Sequence, residues 1–493
     1  MPLIEKQAVR VSDYKYQFLL APDKQTALDA QNFIHLDTMT LSWFDPNTAV
    51  RVFDGRNNLI GALLGCPIDH NQQKVISHNL LVSEKFDKDN VERWVEDNIY
   101  CFSGSFLFVL DSDECRRVYL DADGTLSAVW DTEKKMVAAT TALLLDEDYF
   151  DRFDSELYHH LDVRKEGWFP AGLTAHFGID RILVNHYLDL DTWKQIRHWP
   201  TKQIPITTNP TATCSRIAAT THAIVQTLCN TGTVSMTLTA GNETRLLLAC
   251  CRDMTDRLEF TTVSGPTTRL DAIRAQELAK RFDLNHRLLP IREATAQEQE
   301  EWHARAGQCI GGSNMITHPT VSLMAERDYF VIGLGGEIGR AFLWQNSDCP
   351  DTEISSKMIE GRLGMPPHER VHDAISAWLP GLEGFDAFLK LDLAYLELRM
   401  GCWAYAQSYC NPNVRNISPL ICRETYTNML SLPPEMRRNN RMILDTIEQT
   451  WPDLLDIPIN RYGDYRDWSN LILKVVSRPH LIAKKLRQLR AKV

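Results

Sequence analysis

No run of about eighteen uncharged apolar residues occurs in this 493-residue chain, so the sequence offers no membrane-spanning helix. The opening residues, Met1-Pro2-Leu3-Ile4-Glu5-Lys6, lack the basic stretch and apolar core of a secretory leader. Positive charge is also short. With 53 Lys and Arg against 64 Asp and Glu, the formal charge is −11, which argues against a general nucleic-acid binder that must neutralise phosphates. The twelve cysteines form no CxxC repeat and have no histidine partners at zinc spacing. Adjacent pairs such as His159-His160 and Cys250-Cys251 point in different directions on a helix, so neither suits a metal or redox role. These shortages lead us to expect a soluble cytoplasmic protein with reduced thiols.

What remains is a chain with 44% hydrophobic and 24% charged residues, long enough for two or three cores. Residues 106–139 alternate short apolar runs with turn residues: 106–110, 118–120, 128–130 and 136–138. Such runs predict antiparallel strands. The stretch Asp121-Ala122-Asp123-Gly124 lacks the further ligand and terminal Glu of a calcium loop, so a hairpin turn is expected there. Between residues 193 and 214, Pro200, Pro205 and Pro210 lie among Thr, Asn and Lys, which predicts an extended connection and the main domain boundary.

Beyond that boundary the pattern becomes strand, loop, helix. Residues 234–238 read as a strand, 243–252 as a helix and 258–263 as a strand. Ala275, Leu278, Ala279 and Phe282 then share one helical face, and 286–289 gives a third strand. Alternation of this kind predicts a parallel sheet covered by helices. From about residue 373 the pattern is helical; Phe385, Phe388, Leu389, Leu393, Leu396 and Met400 share a face of a layer expected to close over the sheet. The last residues, 481–493, carry Lys484, Lys485, Arg487, Arg490 and Lys492 and suit a solvated helix or a peripheral contact with an anionic membrane.

The informative segment is Leu238-Thr239-Ala240-Gly241-Asn242-Glu243-Thr244-Arg245, between an expected strand and an expected helix. Small residues there let backbone amides approach an anion at the helix N-terminus. The Thr239 and Thr244 hydroxyls can donate to the same phosphate, and Glu243 is placed to hold magnesium. The loop is neither a GxxxxGK loop nor a GxGxxG fingerprint. A second element repeats the design: in Tyr329-Phe330-Val331-Ile332-Gly333-Leu334-Gly335-Gly336-Glu337-Ile338-Gly339-Arg340, a strand again runs into glycines and an acid.

The pair resembles the two loops of the asparagine-synthetase family, SGGxDS and SGxGxDE. The similarity continues through Thr262-Val263-Ser264, Asp271 and His286. It implies an ATP-pyrophosphatase domain that uses ATP and Mg2+. The resemblance places ATP on Leu238, Thr239, Ala240, Gly241, Asn242, Thr244, Val263, Ile332 and Gly333, and metal on Glu243 and Glu337. Phe102-Ser103-Gly104-Ser105-Phe106 and Tyr119-Leu120-Asp121-Ala122-Asp123-Gly124 are similar, more weakly, to the family's class II glutamine-amidotransferase domain. The implied fold class is α/β. Residues 1–195 would form a degenerate amidotransferase-like, Ntn-type αββα sandwich, 196–215 a linker, and 216–493 a PP-loop parallel-sheet domain with a helical layer.

Two departures from the family bear on activity. The amidotransferase nucleophile is a cysteine exposed by removal of Met1, and Pro2 stands there instead, so no glutaminase activity is expected. Where the family usually has a Lys, downstream of a loop like Ile417-Ser418-Pro419-Leu420, this chain reads Ile457-Pro458-Ile459-Asn460-Arg461. Arg461 is then the catalytic cation, able to stabilise negative charge but not to act as a base; Lys357 and Lys474 read as surface residues.

The resemblance implies an AMP-forming amide synthetase that joins a small-molecule or peptide carboxylate to an amine donor, with no nucleic acid involved. Related members include β-lactam synthetases and lasso-peptide cyclases. The run Arg181-Ile182-Leu183-Val184-Asn185-His186, with Trp199-Pro200, resembles the polysaccharide-associated branch, which implies a sugar or uronic acid carboxylate. Two alternatives stay open: a binding protein with decayed loops, in which the Ser to Thr, Gly to Ala and Asp to Glu changes mark lost catalysis, and attack on the adenylate by another nucleophile.

Overall fold

The computed structural model describes residues 14–22, 32–145, 147–165, 167–324, 326–405, 414–464 and 466–467. Pro2, Lys474 and the basic residues of 481–493 lie outside them. Among the described residues no helix is long and apolar enough to cross a membrane. The architecture is mixed α/β with three sheets.

The first half holds two sheets laid face to face. One is antiparallel and runs Ile179–Arg181, Val129–Asp131, Met136–Ala138, Phe18–Pro22, Met39–Trp43, Asn32–His35. The other runs Lys194–Arg197, His186–Asp189, Arg116–Leu120, Ser103–Asp111, Leu59–Asp69, Ala49–Phe53, Leu80–Leu81. Strand alternation builds the layers, because successive side chains point to opposite faces. Leu107 and Val109 enter the core between the sheets with Leu20, Leu41 and Leu64, while Phe106 and Phe108 turn outward to Trp94 on the helix Val91–Asn98. On the far side Leu19, Val129 and Ala138 meet Leu144 of the helix Thr141–Leu144.

The four strands expected between 106 and 139 are present, but the acidic turn differs from expectation. Arg116–Leu120 belongs to one sheet and Val129–Asp131 to the other, so Asp121-Ala122-Asp123-Gly124 begins a crossover between sheets rather than closing a hairpin. Residues 121–130 are buried throughout. The connection after the first half is also shorter than the expected 196–215. Lys194–Arg197 is still an edge strand, and Pro210 starts the helix Pro210–Thr231, capped by the Asn209 side chain accepting from the Ala212 amide at 3.0 Å. Proline is tolerated at a first helical position because its missing N–H has no partner there in any helix.

The second half is built on five parallel strands in the order His286–Pro290, Leu258–Ser264, Val234–Thr237, Tyr329–Val331, Asn416–Ile417. The chain enters at the middle strand, steps outward on one side, then returns to the other. Strand order therefore reverses between Val234–Thr237 and Tyr329–Val331. In open parallel sheets the crevice beyond the strands' carboxyl ends at such a reversal is where ligands bind.

The helices Pro210–Thr231, Asn242–Cys250, Arg423–Leu430 and Arg441–Thr450 pack together as a layer of this half. The expected helical layer is incomplete, however, because Ala387–Tyr395 and its π-helical continuation Leu396–Met400 dock on the first half. There the Ala171 amide donates to the Leu398 carbonyl at 3.0 Å, and Glu397 accepts from Asn185 at 3.1 Å, Arg197 at 2.7 Å and Trp378 at 2.6 Å. A buried carboxylate so bonded ties the two halves into one body.

Candidate functional site

The first loop leaves the strand Val234–Thr237 and turns into the helix Asn242–Cys250, whose N-cap is Gly241. Its shape is set by its own hydroxyls. The Thr239 Oγ1 accepts from the Gly241 amide at 3.0 Å, the Thr239 amide donates to Thr244 Oγ1 at 3.3 Å, and the two hydroxyls meet at 2.7 Å. The two groups expected to hold one phosphate thus converge, bonded to each other. Asp271 accepts from the Ala240 amide at 2.9 Å, and the Asn460 amide donates to the Ala240 carbonyl at 2.8 Å. Asn440 reaches Asn242 at 3.0 Å. What the loop turns toward the crevice is the amide end of a helix, where partial positive charge favours an anion.

Leu238 spends its main chain on the sheet: its amide donates to the Thr261 carbonyl at 2.8 Å and its carbonyl accepts the Thr262 hydroxyl at 2.5 Å. Val263, Ile332 and Gly333 are half-buried at the same ends of their strands.

The second loop lies directly on the first. A Cβ added to Gly333 would stand 2.9 Å from Glu243 Cβ, and one added to Gly336 would stand 2.7 Å from Glu243 Cγ. No larger residue fits at either position without moving Glu243. Two glycine-acid loops far apart in sequence are therefore one site in space.

Glu243 and Glu337 face a common cation, Arg340. Its Nε donates to Glu243 Oε1 at 2.6 Å, and its guanidinium is 3.6 Å from Glu337 Oε1. The second Glu337 oxygen is buried without a hydrogen-bond partner. Burial, and then the Glu243 charge, push the Glu337 carboxyl above its ordinary range. Among the described residues no group of three or more His, Cys, Asp or Glu gathers to hold a metal. Magnesium commonly takes one or two carboxylates and completes its octahedron with phosphate oxygens and water. The pair fits that pattern through the open Glu337 oxygen, provided Arg340 moves off Glu243.

Arg461 is exposed and follows Asn460, the residue bonded to the first loop. The Arg461 carbonyl accepts from Arg274 Nε at 2.9 Å, which fixes this segment at the rim of the crevice. Beneath it the buried Arg245 donates to the Leu454 and Ile457 carbonyls at 2.7 and 2.9 Å. Burial, and then the Arg274 charge, lower Arg245 to about 10. Lys357 is exposed on the helix Ser356–Leu363. His159 and His160 hold separate backbone carbonyls, those of Ser155 and Pro367, and Cys250 and Cys251 are buried free thiols.

The structure brings together Thr239, Gly241, Thr244, Glu243 and Glu337, and bonds Asn460, the neighbour of Arg461, to the first loop. Sequence reasoning assigned no role to Arg340, Asn460, Asp123 or Tyr426. Only Arg340 carried a local signal, lying three residues after Glu337 in the turn Gly336–Arg340. Asp123 arrives from the first half. Burial, and then the charge of Asp121, push its carboxyl well above the usual range, and the charge of Glu337 adds to this.

No protein-family model matches the chain, and no curated protein matches it.

Proposed function

We propose that the protein is an AMP-forming amide synthetase of the asparagine-synthetase kind, with a PP-loop second half and an Ntn-like αββα first half that lacks a glutaminase nucleophile. The observation that carries this reading is the packing of Gly333 and Gly336 on Glu243. It joins the two glycine-acid loops at the reversal of strand order, where parallel sheets bind ligands.

Thr239, Gly241 and Thr244 would grip the β and γ phosphates of ATP, with Ala240 and Asn242 shaping the loop. Leu238, Val263, Ile332 and Gly333 would frame the adenosine. Glu243 and Glu337 would hold magnesium, which would supply neutralisation of phosphate charge. With the β and γ phosphates held, the α-phosphorus is open to attack by a carboxylate oxygen, and pyrophosphate leaves. An amine then attacks the acyl carbon, AMP leaves, and the amine loses a proton. Arg461 stabilises the negative charge that develops.

Arg181 stacks over Tyr405 at 4.4 Å and Asn185 is bonded to Glu397 and Arg423, so both serve the seam between the halves.

The test is a screen for carboxylate-dependent exchange of labelled pyrophosphate into ATP, expected to give exchange with at least one carboxylate. ADP and orthophosphate as stoichiometric products would refute the assignment. One observation favours a second reading, a binding protein with decayed loops: Arg340 already holds Glu243. That reading requires no exchange, and Mg-ATP affinity that is unchanged when Glu243 or Glu337 becomes Gln.

A further inference from the structure

Just past the second loop the chain leaves a large ring in solvent. Phe342 is 41% exposed, two residues after the turn Gly336–Arg340, and its ring centre lies 4.8 Å from that of the buried Tyr395. Two guanidinium groups flank it, Arg340 with Cζ at 5.8 Å from the ring centre and Arg399 at 5.4 Å. Arg340 is bonded to Glu243. Arg399 belongs to the π-helical turn Leu396–Met400, where the second half docks on the first, and three more rings surround it. Trp403 lies at 4.9 Å, Tyr395 at 5.7 Å and Trp168, from the first half, at 5.8 Å.

Four rings within this range steady a cation through their faces, yet they do not complete its N–H groups. Among the described residues no carboxylate pairs with the Arg399 guanidinium, and its Nε is buried without a hydrogen-bond partner, as is Trp403 Nε1. Folded proteins rarely leave buried polar atoms in this state. Both atoms are donors only, so neither can satisfy the other, and what completes them is an acceptor. The charge of Arg399 asks for an anion. A guanidinium stacked among rings has its plane fixed and presents N–H groups in the geometry of a carboxylate. Phe342, exposed beside it, offers an apolar face to whatever carries that carboxylate, the usual make-up of a small-molecule site. π-Helical turns are also frequent at functional sites.

We propose that Arg399, Trp403 and Phe342 form a subsite for a carboxylate carried on a ring. A carboxylate held by a guanidinium is a weakened base and nucleophile, so the group seated here is a second anion of the acid substrate and not the carboxylate that is activated. That role rests on the synthetase reading; the binding itself does not. An aromatic acid and a sugar acid share this chemistry, and the test separates them.

The full-length protein is titrated by calorimetry with benzoate and with glucuronate at constant ionic strength. Acetate supplies the carboxylate without a ring, and benzamide the ring without the charge. The expected result is saturable binding of one or both ring carboxylates, about tenfold or more tighter than either control. Benzoate alone identifies an aromatic acid, and glucuronate alone a sugar acid. Arg399→Gln should weaken binding about tenfold or more, as for loss of a charge-assisted pair, and Phe342→Ala about threefold to tenfold while leaving acetate unaffected. Phe342→Ala removes an exposed ring and decides the matter if Arg399→Gln fails to fold. A control that binds as tightly as the ring carboxylates, no saturable binding by either of them, or undiminished binding in the folded variants overturns the proposal. Pyrophosphate exchange is measured on the same proteins, and the KM for an acid that supports it should rise in Arg399→Gln with little change in kcat. Exchange with an unmoved KM sinks this inference alone. Ring-carboxylate binding that the variants weaken, without exchange in the carboxylate screen, sinks the synthetase reading alone.

Discussion

Asp121 in the first half and Glu337 in the second are both carboxylates set beside glycines where a strand ends. Around Asp121 every contact is closed, with backbone amides from both sides of the crossover and the Thr125 hydroxyl at 2.5 Å. Around Glu337 one oxygen is shared with Arg340 at 3.6 Å and the other has no partner. A saturated buried acid has no lone pair left for a ligand and its work is to hold the chain. An unsaturated one is costly to the fold and is retained where something else is bound. The difference separates a structural turn from a site more surely than the glycine-acid pattern both share.

The largest effect expected from this contrast is on stability. Asp121→Ala strands several buried amides at once and should cost about 3–5 kcal/mol, since each unpaired buried group costs about 1–3 kcal/mol. Urea denaturation checks it, and an unchanged midpoint would show that saturation does not mark structural work here.

The same reasoning extends to the seam between the halves. There His303 lies between the Tyr158 hydroxyl at 2.7 Å and the Ile310 carbonyl at 3.0 Å, and burial, then the Arg164 charge, lower its pKa from 6.5 to about 4. The unfolded chain therefore takes up a proton below pH 6.5 that the folded protein refuses until about 4. Stability from this site is complete above 6.5 and falls as the pH drops toward 4, by about 3 kcal/mol in all. His303→Gln should flatten that part of the stability-pH curve; an unaltered slope would place the titration elsewhere.

Glu337→Gln and Glu243→Gln test the open side of the contrast. Each should lower pyrophosphate exchange by about a hundredfold or more while leaving stability within ~1 kcal/mol, because shape is kept and only ligand charge is lost. Exchange near the wild-type rate in either variant would break the assignment of that acid.

The smallest effect concerns the spacing of the two loops. A Gly336→Ala side chain would press on Glu243 Cγ, 2.7 Å away, and because that carbon is part of a flexible side chain the fold should survive. Mg-ATP affinity should fall about tenfold through the displaced carboxylate, in line with the cost of moving a group that supports a metal. Calorimetric titration reads this directly, and unaltered affinity would show that the loops do not act as one site.

Most of the second half was legible residue by residue. Its strands, Val234–Thr237, Leu258–Ser264 and His286–Pro290, lie within a residue or two of expectation, and the helix Arg269–Phe282 carries the expected face of Ala275, Leu278, Ala279 and Phe282, because each strand and its helix are neighbours in sequence and carry their own periodicity. The glycine-acid loops were legible for the same reason, as short patterns anchored to a strand end. Pro210 misled because its restriction of φ suits a first helical turn as well as an extended link.

Local sequence also determined that the chain is mixed α/β and that Thr239, Gly241, Glu243 and Thr244 cluster in one turn, since neighbours on one tight loop cannot avoid one another. Tertiary structure alone decided the rest. Whether residues 121–124 close a hairpin depends on which sheet the next strand joins, and pairing between strands is not written in the turn itself. That Arg340 holds Glu243 and that Asn460 meets Ala240 follow from how the second half folds on itself, and that Asp123 from the first half meets Tyr426 is a consequence of two halves docking. Each is a contact between residues distant in sequence, and the charge, burial and hydrogen bonding of a carboxylate come from what surrounds it in space.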